Sequence, residues 1–335
     1  MATPTEERPL RVALLFPGQG AQHPRMAAGL YGESEVFTKA MDEAFGMLGE
    51  AGTGIRAEWL SEQPSDNYDD VSVAQPLLYA VDLALGRMVL DWGVQPVAML
   101  GHSVGELAAA TLAGVLSAED GFRLMRDRTR CFTGTPDGGM LAVATSLDGV
   151  RDLLGTDVHL AAVNAARQLL LAGEREPLDR AAGVLRGRGV VCRDVRARQA
   201  FHSPVVDGAA AASLPQWRAT ALGPARITVY SAYTQGVLAE PHVIDPGFWA
   251  RQAAEPVMFA PTLDRLLTDH DCLLLEAGPG NSLSMLARRH PTVVRGRSRV
   301  LPLLPDRQRG DLADLESVRS ARHAVTGTPR RAPKS

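Results

Sequence analysis

The run Gly101-His102-Ser103-Val104-Gly105 constrains this chain more than any other stretch. It follows Pro96-Val97-Ala98-Met99-Leu100, an apolar run that reads as a buried strand, and precedes Glu106-Leu107-Ala108-Ala109-Ala110, which reads as a helix. A strand that turns through Gly-x-Ser-x-Gly straight into a helix is a nucleophile elbow. The flanking glycines let backbone segments approach where a Cβ would clash. Ser103 then sits at the positive end of a helix, where developing negative charge is favoured. A serine hydroxyl is a weak nucleophile unless it is presented and activated in this way. Small residues also make tight strand–helix turns without chemistry. A catalytic reading therefore needs a base, an oxyanion site and a reader of the acyl group elsewhere in the chain.

Composition bounds the remaining possibilities. The 335 residues, 45% hydrophobic and 22% charged, suit a globular protein of about two domains. A net charge of −3 argues against a nucleic-acid partner. Cys131, Cys192 and Cys272 lie far apart, with no metal-type spacing, and suggest a reduced, cytoplasmic setting. No cofactor or metal is expected. Residues 1–9 lack the apolar core of a signal peptide, and no run reaches the ~20 apolar residues of a membrane span.

Periodicity divides the chain. Arg11 to Phe16 reads as a strand closed by the turn Pro17-Gly18-Gln19-Gly20. Gln75 to Trp92 carries apolar residues at helical spacing, and another helix starts near Ser117. From Gly138-Gly139 the texture changes. Met140 to Thr145 reads as a strand, Leu147 to Leu154 as a helix, and Val158 to Asn164 and Gln168 to Ala172 as two strands. Pro177 to Arg188 reads as a helix and Val190 to Val195 as a strand. That order, β-α-β-β-α-β, is the pattern of a small ferredoxin-like unit. Strands resume at Arg226 to Ser231 and Cys272 to Glu276, so the small unit reads as an insertion. The expected architecture is an α/β-hydrolase-like large domain, 1–138 and 203–325, with an inserted ferredoxin-like domain, 139–202. A disordered tail is expected over 326–335.

Phe201-His202-Ser203-Pro204 offers the best base, because His202 falls where the chain returns to the main sheet. His102, beside the nucleophile, reads as a residue that shapes the elbow. The backbone N–H groups of Gln19, in the first turn, and Val104, at the helix start, could form an oxyanion hole. Arg128, on the helix after the elbow helix, is a candidate carboxylate reader. Arg123, Arg126 and Arg130 are its neighbours, and spacing does not choose among the four.

Taken in order, these pieces resemble the malonyl-CoA:acyl carrier protein transacylase family, including the acyltransferase domains of modular polyketide synthases. The resemblance covers about residues 10–305. It runs through Phe16-Pro17-Gly18-Gln19-Gly20-Ala21-Gln22, Gln75-Pro76-Leu77 and Gly101-His102-Ser103-Val104-Gly105-Glu106. It continues through Arg128, Asn164, Phe201-His202-Ser203-Pro204, Trp249 to Phe259 and Glu276-Ala277-Gly278-Pro279-Gly280.

The resemblance implies a Ser103–His202 dyad, with a backbone carbonyl near Gln252 orienting the histidine in place of an aspartate. It implies an oxyanion hole at Gln19 and Val104, and Arg128 gripping the free carboxylate of a malonyl-type group. Asn164, Gln199, Phe201 and Gln252 are expected around the substrate. The implied reaction is ping-pong, from an acyl-CoA or acyl-carrier thioester to the phosphopantetheine thiol of an acyl carrier protein, in polyketide or related secondary metabolism.

Two departures bear on substrate. Malonyl-selective relatives usually carry His-Ala-Phe-His before the base position, and here the stretch is Gln199-Ala200-Phe201-His202. Phe201 points to malonyl over methylmalonyl, and Gln199 weakens that choice. The usual Leu-Met after the Ser-Pro is Val205-Val206. With no ketosynthase or carrier segment, the chain reads as a discrete acyltransferase, and transfer of a bulkier acyl or aminoacyl group between carriers stays open. From Arg288 onward there are twelve Lys/Arg against four Asp/Glu. Arg288, Arg289, Arg295, Arg297 and Arg299, with Arg193, Arg196 and Arg198, are the expected docking face for an acidic carrier. Two rivals remain: an esterase with His290 after Glu276 as its base and acid, and a non-catalytic carrier-docking protein.

Overall fold

The computed structural model describes residues 11–195 and 197–327. Among these residues the strands in chain order are β1 (Arg11–Phe16), β2 (Ala98–Gly101), β3 (Gly138–Val143), β4 (Val158–Ala165) and β5 (Gln168–Glu174). They continue with β6 (Cys192–Val195), β7 (Val229–Ser231), β8 (Gly236–Val237), β9 (Cys272–Glu276) and β10 (Arg299–Pro302). They form two sheets. The larger runs β10-β9-β1-β2-β7-β8, parallel except for the β7–β8 hairpin. Its inner strands are apolar on both faces, as parallel strands covered by helices must be: Ala13, Leu14, Leu15 and Phe16 are fully buried. Ala13, Leu15, Leu100 and Leu274 face one core, and Leu14, Phe16 and Met99 face the other.

The smaller sheet runs β4-β5-β3-β6, every neighbour antiparallel. This is the strand order of the ferredoxin-like unit. The helix Arg175–Gly187 covers one face through Leu178, Ala181 and Leu185, against Leu141, Val143, Leu169 and Leu171. The other face carries Met140, Ala161 and Ala172 into a cluster with Phe132, Ala200, Phe201 and Ala253. That cluster packs the small sheet against the helix Ala118–Phe132 and the segment carrying His202, while Ala162 joins the core that Leu15 and Leu100 of the larger sheet face. A parallel bridge between Ala162 and Val257 ties the small sheet to the segment after the helix Pro246–Arg251.

The structure departs from the sequence reading in a few elements. The helix expected over Leu147 to Leu154 is two short 3₁₀ turns, Leu147–Gly149 and Arg151–Leu153. Gly149 mid-run and Gly155 after it make a continuous helix too costly for so short a connection. The long helix starts at Val71 rather than Gln75, because Asp70 accepts the Ser72 N–H and caps it. By length and composition that helix, Val71–Asp91, could cross a membrane, which the sequence reading missed; 83% of its apolar window is buried inside the fold. The expected tail falls mostly on residues 328–335, outside the described residues, while Thr326 and Gly327 end the helix Asp311–Thr326.

Candidate active site

The elbow forms as the sequence demands. Ser103 is the N-cap of the helix Val104–Leu112 and holds φ 54°, ψ −118°. Such a backbone is strained for a non-glycine residue and persists only where the surroundings enforce it. Enforcement comes from packing: a Cβ on Gly105 would collide with the carbonyl oxygens of Phe16 and Pro17. A Cβ on Gly18 would lie 2.5 Å from the His102 carbonyl oxygen and 3.3 Å from Ser103 Cβ. The turn after β1, which carries Gln19, is thereby pressed onto the nucleophile. Val104 occupies the first helical position, where the helix offers its N–H no internal acceptor. The Gln19 side chain is fixed by Gln75, whose Nε2 donates to Gln19 Oε1 at 3.0 Å.

His202 lies 99 residues further along, yet its Nε2 is 2.8 Å from Ser103 Oγ. Its Nδ1 is 3.1 Å from the Gln252 carbonyl and 3.0 Å from the Glu255 carbonyl. Two acceptors at Nδ1 place the proton there and leave Nε2 free to accept from Ser103. His202 also has a positive φ, 63°, and its N–H donates to the Ala253 carbonyl at 2.7 Å. Burial, then the nearby His102 and Arg128, lowers its pKa to about 3. It is therefore neutral across the physiological range. The His102 ring is bonded to Asn164 Oδ1 at 2.8 Å. Asn164 so fixes the side chain of the residue before Ser103.

Arg128 lies on the helix Ala118–Phe132. Its guanidinium stacks over the rings of Phe132, at 5.2 Å, and Phe201, at 5.7 Å. Its Nε is buried without a hydrogen-bond partner among the described residues. Among the four neighbouring arginines this singles it out. Arg123 pairs with Asp120 and Asp127, Arg130 with Asp127, and Arg126 is exposed. Phe201 also packs on Phe132, with ring centroids 5.1 Å apart, and Gln199 is buried beside it in the chain.

Three contributors escaped the sequence reading. Tyr233 lies beside the dyad residues, and burial raises the pKa of its hydroxyl. The Tyr233 ring lies 6.3 Å from that of His202. Glu255 supplies a second carbonyl to the base. Glu106 buries a carboxylate three residues after the nucleophile. The sequence carried a signal only for Glu106, as a charge in an otherwise apolar helix start. The Gln252 side chain, expected around the substrate, turns instead to Glu106, while its carbonyl serves His202.

The structure places the expected docking arginines apart from one another. β10 pairs with β9 so that Arg299 lies level with Leu273, which lies level with Val12, four residues before the Phe16–Gly101 level of the elbow. At about 3.3 Å per residue this places Arg299 roughly 13 Å toward the opposite end of the sheet from Ser103. It is also three strands away. Arg295 and Arg297 precede it, and Arg297 is paired to Asp271 at 2.9 Å. Arg288 and Arg289 follow the helix Ser282–Ala287, away from its start at the Gly278–Gly280 turn. This group does not border the elbow. Arg193 and Arg198 are exposed on and after β6, and Arg196 lies outside the described residues. The residues of the esterase arrangement are engaged elsewhere. Glu276 accepts the N–H groups of Leu283 and Ser284, and His290 faces Asp264.

Known proteins place this geometry. The acyl transferase domain family matches residues 13–324. A phenolphthiocerol/phthiocerol polyketide synthase of Mycobacterium tuberculosis is 36% identical over 291 residues, 87% of this chain and 19% of that protein. The chain thus spans about a fifth of the length of that curated relative. The acyltransferase domain from the second module of the salinomycin polyketide synthase superposes with a TM-score of 0.85 at 30% identity, covering 96% of this chain and 74% of that one. The acyltransferase domain of SpnD, in complex with 2-(pent-4-yn-1-yl)malonyl, gives 0.88 at 29% identity, covering 97% and 79%. These structures share the large α/β domain and the small ferredoxin-like subdomain.

Proposed function

The chain belongs to the acyl transferase domain family, and from that premise we propose that it moves a malonyl-type acyl group from a thioester donor, through a Ser103 ester, to the phosphopantetheine thiol of an acyl carrier protein in polyketide or related secondary metabolism. The observation that carries this reading is the 2.8 Å contact between Ser103 Oγ and a His202 whose Nδ1 is held by two carbonyls.

In the first half-reaction, Ser103 Oγ attacks the thioester carbonyl and its proton passes to His202 Nε2. The C–S bond breaks, the proton passes to the departing thiolate, and the acyl group remains on Oγ. In the second, the carrier thiol gives its proton to His202 and attacks the ester, and Oγ takes the proton back. The N–H groups of Val104 and Gln19 serve the oxyanion in both steps, and each such donor contributes about 3 kcal/mol.

Arg128 is the reason to favour an acyl group with a free carboxylate. A guanidinium with a buried, unpartnered Nε is costly, and a carboxylate relieves that cost with paired hydrogen bonds. The malonyl-type group bound by the SpnD domain supports the same class. The test loads the protein with malonyl-CoA and then offers a phosphopantetheinylated carrier protein or water alone. The expected result is acyl-carrier thioester with little free malonate. Release of free acid at the same rate with and without carrier contradicts the proposal.

A further inference from the structure

One buried carboxylate connects the segments that hold the dyad. Glu106 lies three residues after the nucleophile and is fully buried. Its Oε2 accepts the Ala232 N–H at 2.9 Å, and its Oε1 accepts Gln252 Nε2 at 3.0 Å. Gln252 gives its own carbonyl to His202 Nδ1. Ala232 precedes Tyr233, whose ring packs beside that of His202. The two arms of this one side chain thus reach the segment behind the base and the segment beside the nucleophile.

We propose that Glu106 is a positioning residue for acyl transfer, acting through Gln252 to hold the carbonyl that orients His202. The inference rests on the Ser103–His202 reading above. Gln252 closes the short helix Pro246–Arg251, where carbonyls lack helical partners and their direction is set by what surrounds them. The tether from Gln252 Nε2 to Glu106 spans 146 residues of sequence and fixes that direction against the helix that begins at Ser103. A buried carboxyl offsets its desolvation cost through the hydrogen bonds it accepts, and each Glu106 oxygen meets one donor, Ala232 N–H and Gln252 Nε2. Burial pushes its pKa up to about 8. The other titratable groups facing this junction are Tyr233, which burial keeps protonated, His202, which burial keeps neutral, and Glu255.

A fluorophosphonate probe reads the dyad without reference to any acyl substrate, so this test is independent of whether the malonyl assignment holds. The readout is the second-order rate of Ser103 labelling between pH 6 and 9, alongside circular dichroism. Gln252→Leu cuts the tether and leaves the backbone carbonyl in the chain. It is expected to slow labelling at least about tenfold with an unchanged spectrum, the scale at which small misplacements are felt. Gln252→Glu places two carboxyls together, which can bond only while they share a proton. Its labelling rate is expected to fall as pH rises, and more steeply than that of the wild type, in which the Gln252 amide donates to Glu106 in either protonation state. Glu106→Gln combined with Gln252→Glu exchanges the two groups. The amide then at position 106 donates to the carboxylate then at position 252 and accepts from Ala232, and the double variant is expected to restore the shallower wild-type profile near the wild-type rate. Labelling of Gln252→Leu within twofold of wild type, or a double variant as pH-sensitive as Gln252→Glu, overturns the proposal.

Discussion

At the residue scale the site is defined by two groups whose environments pull their chemistry apart. His202 is kept neutral by burial, and Arg128 holds a buried guanidinium whose Nε has no partner among the described residues. The first gives a pH prediction. An ordinary histidine protonates near ~6.5 and would lose base activity below that value. With its pKa lowered to about 3, His202 stays competent as pH falls through 6.5. Acylation of Ser103 by a donor whose acyl group is uncharged, such as acetyl-CoA, is therefore expected to hold steady from pH 8 down to 5. A decline centred near 6.5 speaks against this environment. The second gives a selectivity prediction: Arg128→Ala will lower malonyl transfer at least about tenfold while leaving acetyl transfer equal or faster, as measured by competing the two donors. Equal loss for both would make Arg128 a packing residue. Ser103, His202 and the Gln252 carbonyl were legible in the sequence because the motif order carries them. Tyr233 and Glu255 were not, because the contacts they make exist only once the 230s and 250s fold back beside residue 103.

At the scale of elements, the site depends on close backbone packing between the β1 turn and the elbow. Gly105→Ala forces a methyl against the Phe16 and Pro17 carbonyls, which cannot yield as a side chain could. Overpacking of this kind costs about 1–3 kcal/mol or more. A lowered thermal midpoint together with lost labelling of Ser103 is expected, and a variant of normal midpoint and activity would contradict the geometry. The strands were readable because their alternation and apolar runs are local properties: β1 and β9 match their expected bounds. The helix expected over 147–154 failed because glycine cost outweighed a weak apolar pattern. The placement of the docking arginines was not legible in the sequence for another reason. Their clustering in sequence is real, but the parallel register starts β10 at the end of the sheet opposite the elbow, which no local count of charges reveals. The carrier is therefore expected to respond more to Arg198→Glu, four residues from His202, than to Arg299→Glu, in its apparent KM at low salt. The reverse order would return docking to the far end of the sheet.

At the scale of the whole molecule, two sheets and a joining cluster bring together groups spread from residue 18 to residue 255. The large domain also buries an acid pair behind the β1 turn. Neither oxygen of Asp82 has a hydrogen-bond partner among the described residues, and burial, then Glu276, raises its pKa well above the usual carboxylate range. Burial pushes Glu276 up to about 7. An unfolded aspartate releases its proton near ~4, whereas the folded Asp82 retains it, so folding stability from this group falls as pH rises above that value. Asp82→Asn cannot ionise. Its thermal midpoint is expected to gain on that of the wild type between pH 5 and 8, and parallel curves would show that Asp82 ionises freely. The central claim, that this fold exists to carry an acyl group on one serine, is tested most directly by intact mass spectrometry after exposure to malonyl-CoA, with peptide mapping of the adduct. The account predicts a single malonyl group on Ser103 in the wild type, none in Ser103→Ala, and little within the same time in His202→Ala. An adduct that persists in Ser103→Ala, or maps to any other residue, would contradict it.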